Sequence, residues 1–82
     1  MKEITYQPAA RKSLRKMPVT TARRIIGKID AYAHNPRSMA NNITTLKGRD
    51  GIRLRVGDYR VIMIDGHVLD VLTIAPRGKV YK

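Results

Sequence analysis

Two turn dipeptides, Gly57-Asp58 and Asp65-Gly66, cut the β-branched stretch over residues 52–81 into three short segments. Asp-Gly between β-branched residues is a strong hairpin signal, because a type I′ turn needs positive φ at both central residues and Gly and Asp tolerate it. The pattern predicts a three-stranded antiparallel meander.

Two-residue loops would fix its register. Val56 then faces Tyr59, Arg55 faces Arg60 and Arg53 faces Ile62, while across the second turn Ile64 faces His67, Ile62 faces Leu69 and Arg60 faces Val71. Opposed residues share a face, as do alternate residues along a strand. One face is therefore expected to carry Arg53, Arg55, Arg60 and, by continuation, Arg77, together with Ile62, Ile64, Leu69 and Val71. The other collects Ile52, Leu54, Val56, Val61, Met63, Val68, Leu72 and Ile74 as a core. Like charges directly opposed destabilise a sheet, so the arginines suggest an anionic partner. The alternative is a solvated face whose arginine stems cover apolar area.

The preceding residues read as a first strand over 2–6, a helix over about 8–16 opened by Pro8, and a second helix over about 18–34. Pro suits the first helical position, where its missing N–H would be unpaired anyway. Ala10 and Leu14 turn inward on the first helix. Ala22, Ile25, Ile26, Ile29 and Tyr32 or Ala33 form one buried stripe on the second. Gly27 suggests close packing between the helices, and Asn35-Pro36 ends the second one. Residues 37–51 read as a connecting loop. The expected fold is α+β, in the order β-α-α-β-β-β, with both helices on one face of a small antiparallel sheet and the arginine face left open.

At 82 residues the chain has room for a single domain, residues 1–82. It has no cysteine, which excludes disulfides and thiolate chemistry and agrees with a cytoplasmic setting. Its longest aliphatic run, residues 61–64, falls far short of the roughly 20 residues of a membrane span, and no secretory segment is expected. Seventeen Lys and Arg against six Asp and Glu give a charge of +11, which points to nucleic acid, a ribosome or an acidic protein. Ten of the seventeen are Arg, the better bidentate partner of phosphate and carboxylate. With neither Trp nor Phe, base stacking is poorly supplied.

His34 and His67 have no carboxylate at metal-ligand spacing, the Asp residues fall mainly in turns, and no glycine pattern suits a nucleotide loop. What remains is Arg, Lys and Tyr. RNA cleavage by attack of its own 2′-hydroxyl needs a base, donors for the charge growing on phosphorus, and an acid for the leaving oxygen; guanidiniums meet the second need. A free Tyr titrates near ~10, so a phenolate base requires positive charge beside it. Tyr81 lies four residues beyond Arg77, in a tail that includes Lys79. The other reading of Tyr81 is an aromatic anchor for the C-terminus.

Leu-Lys-Gly at 46–48, Leu-Arg-Val-Gly-Asp-Tyr-Arg-Val at 54–61 and Ile-Ala-Pro-Arg-Gly-Lys-Val-Tyr at 74–81 resemble the RelE/ParE superfamily of toxins from bacterial toxin-antitoxin pairs. The likeness covers nearly the whole chain. Its RelE branch implies a ribonuclease that cuts mRNA in the ribosomal A site without metal or cofactor. By this resemblance Arg53 and Arg60 contact the scissile phosphate, Arg77 stabilises it and protonates the leaving group, and Tyr81 is the general base. Arg55 joins them as a substrate contact. Gly51 stands where ribosome-dependent relatives carry a further lysine, a role open to Lys47 or Lys79, and Pro76 stands where many members have His. The resemblance also implies an antitoxin partner, a helix of which could lie on the apolar residues of the open face, with operator DNA reached only through that complex. Alternatives are a ParE-like inhibitor of DNA gyrase and a non-catalytic basic module that binds RNA or the ribosome.

Overall fold

The computed structural model describes residues 2–78, so Lys79 and Tyr81 lie outside the described residues. The chain runs β1 (Ile4–Tyr6), α1 (Pro8–Lys16), α2 (Val19–His34), a 3-10 segment (Pro36–Asn42), β2 (Ile43–Thr45), β3 (Ile52–Val56), β4 (Tyr59–Asp65) and β5 (Leu69–Pro76). Pro8 opens α1 as expected, and Arg15 and Lys16 sit in its last turn, where cations meet the negative end of the helix dipole. Ala10 of α1 and Ile25, Ile29, Tyr32 and Ala33 of α2 are buried against Leu54, Val56, Val61, Met63, Leu69, Val71 and Ile74 of the sheet. This single layer of helices leaves the opposite sheet face open, as the α+β reading requires. Gly27 departs from expectation: it is exposed, with nothing within 4 Å of where a Cβ would stand.

The sheet has five strands in the order β1-β5-β4-β3-β2. From Ile43 onward the strands are antiparallel, but β1 joins β5 in parallel, Ile4 pairing with Leu69 and Tyr6 with Val71. Parallel neighbours need a crossover, which the intervening helices and strands provide. The fifth strand is β2, inside the stretch read as loop. Its three residues pair with β3, Ile43 with Leu54 and Thr44 with Arg53.

The first hairpin has the expected register, with Arg55 opposite Arg60. Its turn has positive φ at Gly57 alone, the II′ pattern. The second connection is longer than expected. Asp65 pairs with Leu69, leaving Gly66, His67 and Val68 in the loop, so Ile64 faces Asp70 and not His67. A bulge then follows: Met63 pairs with Val71 but Ile62 pairs with Thr73, which leaves Leu72 as the extra residue.

These two irregularities re-sort the faces. Leu69 and Val71, expected on the open face, are fully buried under the helices, while Val68 and Leu72, expected in the core, are half-buried. Beyond the bulge the original alternation returns, with Arg60 opposite Ala75. On the open face Ile62 is only 2% exposed, and the side chains of Leu46 and Ile64 converge beside Gly51. The apolar patch proposed for a partner helix is thus reduced to Ile64, at 40% exposure.

Candidate functional site

The two-residue turn at Gly57 places Arg55 and Arg60 side by side, and alternation along β3 places Arg53 on the same face. Arg77 follows β5 into a turn. Its backbone N–H donates to the Asp58 carbonyl at 2.6 Å, which ties it to the β3–β4 turn, and its side chain continues the row of Ala75, the partner of Arg60. Arg60 Nη1 donates to the carbonyl oxygens of Tyr59 at 3.2 Å and Gly57 at 3.5 Å.

Electrostatics agrees with this placement. The Arg60 guanidinium is held below the usual arginine value, first by loss of solvent and then by Arg53, Arg77 and Arg55, with Asp58 acting in the opposite sense. Four guanidiniums thus converge, with Arg60 central to the group. A site of this kind lowers its own energy by accepting an anion.

Arg53, Arg55 and Arg60 line a depression of about 120 Å³ together with Asn41, Asn42 and Thr44. In the sequence these three polar residues fall in a stretch whose Ser, Asn, Thr and Gly content predicts a connecting loop, with little sign that it joins the sheet. The pairing of Thr44 with Arg53 brings them in. The only signal for it in the sequence is the short β-branched run over 43–45. Lys47 lines an adjoining depression of about 290 Å³ with Thr44 and Arg53, so it sits next to the cluster.

Three tyrosines are described outside this cluster. The Tyr32 hydroxyl is pushed up to about 12, by desolvation and then by its hydrogen bond to Asp65. Burial, and then Asp30, also raise Tyr6. Tyr59 lines an apolar groove with Met17, Pro18, Ile74 and Pro76. Among the described residues no group of three His, Cys, Asp or Glu side chains is placed to hold a metal ion, and no helix is long and apolar enough to cross a membrane.

Comparison with known proteins follows the same architecture. The RelE chain of the archaeal RelE–RelB complex from Pyrococcus horikoshii OT3 is 27% identical with a TM-score of 0.77, over 96% of this chain and 98% of that one. The isolated E. coli RelE toxin is 21% identical with a TM-score of 0.74, over 99% and 92%. The RelB–RelE antitoxin–toxin complex from Methanococcus jannaschii gives 21% and 0.73, over 95% of each chain. No curated protein sequence matches. The family profile described as the ParE toxin of the type II toxin-antitoxin system parDE matches residues 4–81. With that match spanning the helices, the meander and the arginine tail, and with RelE toxins sharing the fold, the chain belongs to the ParE toxin family, within the RelE/ParE superfamily of type II toxin-antitoxin systems.

Proposed function

We propose that this toxin is a metal-independent endoribonuclease that inhibits translation by cutting mRNA in the ribosomal A site. The observation that carries the reading is the convergence of Arg53, Arg55 and Arg77 on Arg60. In the reaction a base takes the 2′-hydroxyl proton, the 2′-oxygen bonds to the adjacent phosphorus, and the bond from phosphorus to the 5′-oxygen breaks as that oxygen is protonated. The products are a 2′,3′-cyclic phosphate and a 5′-hydroxyl. Arg53 and Arg60 hold the phosphate, Arg55 and Lys47 approach its neighbours, and Arg77 stabilises the developing charge and protonates the leaving oxygen. Tyr81 is the base, and Lys79 supplies positive charge beside it that favours the phenolate. Burial and acidic neighbours hold the Tyr6 and Tyr32 protons in place, which supports a base from the tail.

A cognate antitoxin with an acidic surface would match the +11 charge, in the way that RelE is seen complexed with RelB in the archaeal structures. Operator DNA would then be met only through that complex, and the target places the protein in the cytoplasm.

Primer extension on a defined message with purified ribosomes tests the reading. New RNA ends are expected with wild type and not with Arg77→Ala or Tyr81→Phe; absence of ends with wild type, or equal cleavage by the variants, removes it. The ParE description of the matching family favours a second reading, inhibition of DNA gyrase. A supercoiling assay separates the two, since the ribonuclease reading predicts undiminished gyrase activity.

A further inference from the structure

The β3–β4 turn, which sets Arg55 against Arg60, is also reached by an arginine from the helix side of the sheet. Arg24 extends from α2, and its Nη1 lies 3.4 Å, its Cζ and Nη2 3.7 Å, from where a Cβ on Gly57 would stand. Gly57 has a φ of 58° and no side chain, so the turn is bare where the guanidinium rests. Arg60 Nη1 meets the same residue at its carbonyl oxygen, 3.5 Å away. One residue spans so little backbone that the two guanidiniums lie within about 11 Å of each other.

Arg24 is exposed, and among the described residues it makes no hydrogen bond or ion pair, not even with Asp58 in the turn below it. Lys28, one helical turn further along α2, is exposed and unpaired in the same sense. Like charges at this spacing repel on a helix, so the pair favours an anion. The groups that lower Arg60 are Arg53, Arg77 and Arg55, and Arg24 stands outside them. It therefore suits a different charge from the one those arginines grip. A nucleic-acid strand supplies such a charge, because each nucleotide brings another phosphate close to the last. Resting on the ribonuclease reading above, we infer that Arg24 holds a second phosphate of the message, next to the one at Arg60, so that the strand leaves the site over the Gly57 turn toward α2.

The test uses ribosomes carrying short synthetic messages in which a neutral methylphosphonate replaces one phosphate at a time on either side of the cut. Cleavage is followed at limiting protein, and each modified message is compared with the unmodified one within the same protein, so a stability difference between variants cancels. With wild type, one replacement within two nucleotides of the cut should slow cleavage about fivefold. With Arg24→Gln, which should itself be slowed by about the same factor on every unmodified message, that replacement should cost less than about twofold. Arg24→Lys keeps the charge and should keep the sensitivity, which packing against Gly57 alone would not explain. If no position responds differently in wild type and Arg24→Gln, the second contact is overturned and the ribonuclease reading stands. Uniform slowing of Arg24→Gln with no such position would place Arg24 on ribosomal RNA or in the fold, and also overturns it. No cleavage of any message by wild type removes the ribonuclease reading, and this contact with it.

Discussion

Arg55 and Arg60 stand directly opposite each other across β3 and β4, two cations at the closest cross-strand spacing the sheet provides. A folded protein keeps such a pair only at some cost in stability. Arg55→Thr should therefore stabilise the free protein by up to about 1 kcal/mol at low ionic strength. The gain should shrink as salt screens the repulsion. Thermal melts at two salt concentrations check both statements, and added phosphate should raise the melting temperature of wild type more than that of the variant.

Arg60 tests geometry against charge. Lysine retains the positive charge but loses the planar fork that grips two phosphate oxygens. Arg60→Lys should slow RNA cleavage on the order of 100-fold with little change in melting temperature, as read by primer extension beside a thermal scan. A variant as fast as wild type would mean that charge alone suffices.

At the far end of the sheet, Tyr32 of α2 donates a 2.7 Å hydrogen bond to Asp65 Oδ2, and Lys2 pairs with the same carboxylate while also donating to the Gly66 carbonyl at 2.7 Å. Lys2 first, and Tyr32 after it, hold Asp65 below the usual carboxylate value, against the opposing effect of burial. Because the folded value is the lower one, this contribution is present above the unfolded value of about 3.9 and is lost as pH falls through the folded one. Tyr32, raised from 10.0 to about 12, shows the opposite sign: its contribution is full below pH 10 and is lost as pH rises toward 12. Tyr32→Phe should cost about 1–2 kcal/mol at neutral pH and flatten the alkaline limb of the stability profile, measured by urea unfolding across pH.

Two glycines should respond in opposite directions. Gly27 lies on the exposed side of α2 with open space around it, so Gly27→Ala should stabilise by about 0.5–1 kcal/mol through lost unfolded-state freedom. Gly51 has a φ of 125°, and a Cβ there would meet the Met63 carbonyl oxygen at 3.0 Å and Leu46 Cδ1 at 3.2 Å. Gly51→Lys should therefore destabilise by more than about 1 kcal/mol. The same melts decide both.

Local patterns made much of this molecule legible. Pro8, the apolar stripe of α2 and the turn at Gly57 each act over a few residues, so both helices and the shared face of Arg53, Arg55 and Arg60 follow from sequence alone. The parallel pairing of Ile4 with Leu69 joins distant parts of the chain and leaves no local trace. β2 is three residues long, too short for alternation to stand out among Ser, Asn and Thr neighbours. Asp65-Gly66 looked like a two-residue turn, but Asp65 is drawn into the sheet end by Tyr32 and Lys2, and the loop closes over Gly66 to Val68, where the Gly66 N–H donates to the Val68 carbonyl at 3.1 Å.

Leu72, the unmatched residue in β5, acts as a parity switch. Before it, odd-numbered positions of the strand fill the hydrophobic interior, as Leu69 and Val71 do; after it that duty passes to Ile74 and the odd positions turn outward. A ribbon without this one insertion would either expose two large aliphatic side chains or direct Arg77 toward the helices, so a single surplus residue lets one strand serve both the interior and the arginine face.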